Sequence, residues 1–176
     1  MSDLYDKIVN ERGSLESLMA KIPGFRGYLE HAARHQADTL LREHIASQIA
    51  ERVQQFVRTE KIILDKGGLS YMGKTRDVKG KIQLYHDKVA TAAPGYSGMW
   101  AQIKIGPEEM EAIYAFDEAQ FRYIDQIEQS INAVKESAMS GESVDDALYA
   151  LDEVVTEAID AFALRDDVIL NLGQSN

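Results

Sequence analysis

The apolar residues of this chain recur every three or four positions over most of its length, which is the spacing of one face of an α-helix. The strictest stretch is a seam with four-three spacing, as in coiled coils, whose members include Tyr71, Val78, Ile82, Tyr85 and Val89. Since nearly every long segment carries this period, the sequence predicts an all-α protein without a sheet.

The three prolines divide the chain, because proline is tolerated at the start of a helix or outside it. They lie at positions 23, 94 and 107. The predicted helices are a short N-terminal one within residues 1–21, interrupted at Gly13 and capped at Ser14, and longer ones over 28–66, 69–92, 107–139 and 143–172. We expect a single domain over residues 1–176, an elongated antiparallel four-helix bundle or coiled-coil-like fold with a short extra N-terminal helix.

Charge divides the chain into two halves. The net charge is −10; residues 1–106 hold 16 Lys/Arg and 12 Asp/Glu, whereas residues 107–176 hold 3 and 17. An acidic half disfavours nucleic acid and attracts basic partners or the basic helices of the same chain.

Composition also sets expectations for the compartment. There is no cysteine, so disulfides, zinc–thiolate sites and thiol nucleophiles are excluded, which fits a reducing compartment. The acidic first residues do not look like a signal peptide, and no apolar run approaches the ~20 residues that a membrane span needs. We expect a cytoplasmic protein with no integral membrane segment.

One stretch matches the phosphate-loop pattern G-x-x-x-x-G-K-[ST]: it runs from Gly68 through Gly73 and Lys74 to Thr75. A functional loop of this kind follows a buried strand, whereas a long helix is predicted before Gly68. Nucleotide binding is therefore only a remote alternative. We also expect another backbone to approach Gly73 and Gly80, seven residues apart on one helix face, to offset the helix-weakening effect of glycine.

Binding of a metal or a small ligand within a helical bundle is a second alternative, of the ferritin-like oxidoreductase class. Its weak candidate ligands are His44, Asp117 and Glu118, but the Glu-x-x-His spacing of di-iron bundles is missing. Asp117 lies on an apolar stripe, where a buried carboxylate needs a partner. We expect that partner to be His44, Arg76 or a tyrosine hydroxyl, and the role to be fixing helix register. No catalytic residue and no cofactor is predicted.

Two connections carry residues suited to contacts. Large side chains in the connection before the third proline form a candidate interaction loop, Tyr96, Met99 and Trp100. The other connection is the turn after the N-terminal helix, with Pro23, Gly24, Phe25, Gly27 and Tyr28.

The motifs Ile22-Pro-Gly-Phe-Arg-Gly-Tyr28 and Pro94-Gly-Tyr-Ser-Gly98 resemble those of an uncharacterised bacterial family of small all-helical proteins with an IPGFxGY turn and a GYxG loop. The resemblance implies a helical fold and importance for the two connections, and it implies no activity. The leading hypothesis from the sequence is a non-enzymatic scaffold or adaptor that acts through protein–protein contacts, as a homo-oligomer or with a protein partner.

Overall fold

In a computed structural model of the chain, the structure describes residues 2–91 and 104–174, and within these ranges it is helical without a strand. The all-α prediction is confirmed. The helices are α1 (Ser2–Asn10), α2 (Leu15–Lys21), α3 (Arg34–Gly67), α4 (Met72–Ala90), α5 (Pro107–Ser140) and α6 (Asp145–Gln174), with short 3₁₀ turns at His31–Ala33 and Gly68–Tyr71. The candidate interaction loop, Tyr96, Met99 and Trp100, lies outside the described residues.

Several helix ends follow the sequence signals. The Ser14 hydroxyl accepts a hydrogen bond from the Ser17 backbone N–H at 3.1 Å and caps α2. Gly68 and Gly141 have φ of +69° and +78° after α3 and α5, and glycine adopts this left-handed conformation without strain.

Two predicted helix starts were wrong. The third helix begins at Arg34 and not at residue 28, because Tyr28 is drawn into a buried turn by contacts distant in sequence. The fourth begins at Met72 and not at residue 69, because a 3₁₀ turn intervenes.

The expectation for the glycines of α4 was also wrong. A Cβ atom built on Gly73 or Gly80 would meet nothing within 4 Å. The close approach occurs instead at Gly13, where a Cβ would lie 2.6 Å from the backbone nitrogen of Ala115. Gly13 therefore lets the link between α1 and α2 lie directly on the α5 backbone.

The chain divides into two compact units. Unit 1 comprises Met1–Ile45, Val89–Phe121 and Asp160–Asn176, and unit 2 comprises Ala46–Lys88 and Arg122–Ile159. No helix of the described residues is both long enough and apolar enough to cross a membrane.

Within unit 2, polar contacts identify the neighbouring helices. They join α3 to α4 (Lys79–Glu60, 2.9 Å), α3 to α5 (Arg52–Glu128, 2.7 Å; Gln55–Asn132, 3.0 Å), α4 to α6 (Lys74–Asp145; Lys81–Asp152, 2.7 Å) and α5 to α6 (Tyr123–Glu157, 2.8 Å). In the α3–α5 and α4–α6 pairs, a residue later in one helix contacts a residue later in the other. The two helices of each pair therefore run parallel. Short turns make α3–α4 and α5–α6 antiparallel, as the sequence predicted.

Replacing Gly80 with alanine is expected to raise the free energy of unfolding by about 0.5–1 kcal/mol, because alanine loses less backbone entropy in a helix and the new methyl group enters open space. Gly73→Ala, in the first turn of α4, should act in the same direction with a smaller gain. Urea unfolding followed by circular dichroism measures both effects.

Gly13→Ala is the matched control with the opposite expectation, because its methyl group would collide with the α5 backbone. If Gly80→Ala proved destabilising, the open surroundings of this helix face in the structure would be wrong for the protein in solution.

Candidate functional site

The polar centre of unit 1 is Asp117 on α5, which is fully buried. Its carboxylate accepts a hydrogen bond from Arg165 Nε at 2.6 Å and one from the Tyr28 hydroxyl at 2.7 Å. Of the three expected partners, His44, Arg76 or a tyrosine hydroxyl, the structure shows the tyrosine hydroxyl. The sequence reasoning missed Arg165, whose guanidinium supplies the opposite charge.

Arg165 extends the contacts of Asp117 into a closed ring of charges, called here the buried charge ring. Its members are joined as Arg165 Nη2–Asp38 Oδ1 (2.7 Å), Asp38 Oδ2–Arg42 Nε (2.9 Å), Arg42 Nη2–Asp166 Oδ1 (2.9 Å) and Asp166 Oδ1–Arg165 Nη1 (3.4 Å). The ring joins α3 to α6. The Arg42 guanidinium also lies 4.9 Å from the centre of the Phe162 ring, a distance suited to cation–π attraction.

The sequence signal for this ring was present but was misread. Arg42 is buried although it is charged. Arg165 was not considered, although it continues the four-three spacing of Phe162 and Ile169 along α6. A cation on an apolar stripe needs an anion on a facing helix, and Asp117 was such an anion.

Tyr28 ties the turn before α3 to this polar centre. Its backbone N–H donates to the Tyr114 hydroxyl at 3.2 Å, and the two rings stack with centroids 5.7 Å apart. Its carbonyl accepts from Arg34 Nε at 2.6 Å. Gly27, with φ of +80°, permits the approach, because a Cβ there would collide with the Tyr114 hydroxyl. The turn is therefore part of the unit 1 core.

The pKa values differ between the two carboxyls that share Arg165. Burial raises the pKa of Asp117 above its ordinary value, against the opposing effects of Arg165 and Tyr28. Burial also acts to raise the pKa of Asp38, but the guanidinium groups of Arg165 and Arg42 outweigh it and hold that pKa below 3.8. Burial raises the pKa of Tyr28 well above 10, so its hydroxyl stays protonated and remains a donor to Asp117.

This arrangement fits a structural role better than a chemical one. Arg165 and Asp117 have no exposure to solvent, and the hydrogen bonds above occupy both oxygens of Asp117. A substrate would have no route to either charged group. What the arrangement fixes is the register of α3, α5 and α6 within unit 1.

The three weak candidates for metal ligands each contact a different neighbouring side chain. Asp117 is held by Arg165, Glu118 pairs with Lys21 at 2.8 Å, and the His44 ring lies 5.9 Å from that of Phe121. Across residues 2–91 and 104–174, no group of three or more His, Asp and Glu side chains could hold a metal ion.

The phosphate-loop match lies in a 3₁₀ turn and the start of α4, after a helix and not a strand. Thr75 is buried, and its hydroxyl is 3.1 Å from Glu60 Oε1 and 3.2 Å from the Met72 carbonyl oxygen. The Lys74 ammonium pairs with Asp145. Both side chains that a phosphate would require are therefore engaged within unit 2.

The seam on α4 lies within the chain's own core. Val78, Ile82, Tyr85 and Val89 are buried and Tyr71 is half-buried. A second copy of the chain therefore cannot use these residues without unpacking α4.

Exposed apolar side chains are concentrated in unit 2. Among the described residues, six of the eight large exposed ones lie there: Val57, Leu69, Met72, Leu84, Met139 and Tyr149. Leu69 and Met72 flank the α3–α4 turn, and Met139 precedes the α5–α6 turn. Lys66 Nζ donates to the Met139 carbonyl at 3.2 Å, so the two turns lie at the same end of unit 2.

Comparison with known proteins found no family model that matches the chain, and no curated protein or solved structure with significant similarity to it.

Replacing Asp38 with asparagine is expected to lower the free energy of unfolding by about 3–5 kcal/mol at pH 7, because it leaves two buried guanidinium groups short of one counter-charge. Chemical unfolding of the variant beside the wild type measures the loss.

The loss should depend on pH in a defined direction. The pKa of Asp38 in the folded protein lies below its ordinary value of 3.8. Its ionised carboxylate therefore stabilises the fold fully at pH values above the ordinary pKa, and this stabilisation is lost as the pH falls through the folded pKa. The difference between wild type and Asp38→Asn should therefore shrink in acid. A difference that stayed constant between pH 7 and about pH 2 would contradict an ionised Asp38 in the ring.

Proposed function

We propose that the protein is a non-enzymatic helical scaffold that self-associates through one end of unit 2. The observation that carries the proposal is the exposure of Leu69, Met72 and Met139 at that end, called here the end patch. Leu69 is 73% exposed, on a turn where a polar residue would normally face water. Exposed apolar groups gathered at one end are typical of a protein-contact surface.

We further infer that unit 2 is a four-helix bundle, with the order α3, α4, α6, α5 around its axis. Support comes from the four helix pairs joined by polar contacts, since α3–α4, α4–α6, α6–α5 and α5–α3 close a square. This packing would hold the two turns of the end patch in a fixed relation, as a scaffold requires.

A cavity large enough for an apolar side chain lies at the same end of unit 2 as the end patch. This cavity of about 300 Å³ is lined by the apolar side chains of Ile63, Tyr71, Ala138 and Val144, together with the polar residues Lys66, Glu142 and Ser143. In a two-fold dimer the same surface of each copy serves both sides. We propose that Leu69 of one copy enters this cavity of the other.

The rival hypotheses from the sequence have less support. Nucleotide binding would need Lys74 and Thr75 to leave their partners, and metal binding would need ligands that are already paired with other side chains. No observation favours either over the scaffold.

Substituting Leu69 with glutamate is expected to weaken self-association by about tenfold or more, because burying one leucine contributes roughly 1.5–3 kcal/mol. Sedimentation equilibrium or light scattering over a concentration series measures the change. The wild type should approach twice the mass of one chain as concentration rises.

Leu29→Glu is the matched control, since Leu29 is similarly exposed at 68% but belongs to unit 1; its association should equal that of the wild type. A wild type that stays monomeric up to about 100 µM, a range that covers weak specific complexes, would overturn the proposal.

A further inference from the structure

A half-open cavity of about 860 Å³ in unit 1 lies between the α1–α2 link and the N-terminal half of α5. This volume is within the range of roughly 300–1,000 Å³ that small-molecule sites occupy. The self-association proposed above uses residues of unit 2, and this cavity is independent of it.

Acidic side chains dominate the charge of the cavity wall. Glu16 contributes from α2, Glu108, Glu111 and Glu118 contribute from α5, and Arg12 is the one cation among the lining residues that the structure describes. Within the described parts of the chain, the side chains of Glu16, Glu108 and Glu111 make no hydrogen bond or ion pair. Four carboxylates against one guanidinium leave the described wall with a surplus of negative charge, of which Lys21 offsets only the part carried by Glu118.

Glu118 adds an observation of a different kind. Its side chain is only 9% exposed, and one carboxylate oxygen, Oε2, pairs with Lys21 at 2.8 Å. The other oxygen, Oε1, is shielded from water and has no hydrogen-bond partner among the described residues. A buried charged acceptor left without a donor is costly, so this oxygen has unused capacity for an N–H donor.

The chemistry of the wall selects the class of ligand. Carboxylates bind metal ions or organic cations, and the described residues include no group of three acidic or histidine side chains placed to hold a metal. An ammonium group offers three N–H donors and a guanidinium group offers five. Either could donate to Glu118 Oε1 and still face the outer carboxylates.

We propose that this cavity binds an organic cation, with Glu118 as its buried acceptor and Glu16, Glu108 and Glu111 as the charged rim. Glu118 is itself one of the residues that line the cavity. The cation could be a free polyamine, or a lysine or arginine side chain of a partner protein. The same carboxylates would hold either one.

Isothermal titration of the full-length protein at fixed ionic strength tests the proposal, with spermidine in one arm and an end-blocked tri-lysine peptide in the other. We expect saturable one-site binding in at least one arm. Tighter binding of spermidine would identify a polyamine site, and tighter binding of the peptide would identify a site for a partner's side chain.

Glu118→Gln is expected to weaken binding by about tenfold, since hydrogen bonds to charged groups are stronger than neutral ones. Glu109→Gln is the matched control, because Glu109 is an exposed glutamate on the same turn of α5 as Glu108 and Glu111 but does not line the cavity. Its affinity should equal that of the wild type. Circular dichroism melts establish that both variants are folded.

If Glu118→Gln does not fold, Glu111→Gln replaces it, with an expected loss of about threefold for one solvent-exposed charge. Equal losses in Glu109→Gln and in the cavity variants would show unspecific charge attraction and overturn the proposal. The absence of saturable heat in both arms would do the same. Neither result would alter the association measured for Leu69→Glu, so the two proposals fail separately.

Discussion

Arg165 carries a full positive charge at a position with no exposure to water. The packing of unit 1 must therefore place counter-charges beside it. An unpaired buried charge is unfavourable by several kcal/mol, so anions from other helices must be drawn to it. Asp117 and Asp38 supply them at 2.6 and 2.7 Å. Because each anion comes from a different helix, the charge fixes how α3, α5 and α6 are aligned within the unit.

The same requirement explains the turn before α3. Tyr28 donates its hydroxyl hydrogen to the second oxygen of Asp117, and its backbone is held by Tyr114 and Arg34. The Tyr28 N–H and carbonyl are bonded to side chains and Gly27 before it has a left-handed φ of +80°, so the chain is not helical here. This is why α3 begins at Arg34, six residues after the start that apolar periodicity alone predicted.

The two proposed binding surfaces are formed by polar and apolar groups that the contacts within each unit do not bury or pair. In unit 1, Lys21 satisfies one oxygen of Glu118 and leaves the other for a ligand. In unit 2, the core encloses most of the α4 seam, and three of the apolar side chains left outside it, Leu69, Met72 and Met139, lie beside two glycine-closed turns. The seam that the sequence marks as coiled-coil-like is mostly buried by the packing of α4 within the chain, so it is not a free contact surface.

Much of the fold could be predicted from the sequence because its signals are local. Helical periodicity, the Ser14 cap and the left-handed conformations of Gly68 and Gly141 depend on residues a few positions apart. The sequence also identified Asp117 as buried and in need of a partner. It did not identify Arg165 as that partner, because Arg165 is 48 residues away along the chain. The packing of helices that are distant in sequence decides which charged residues are buried together. Those residues form the polar centre of unit 1 only because that packing removes them from water.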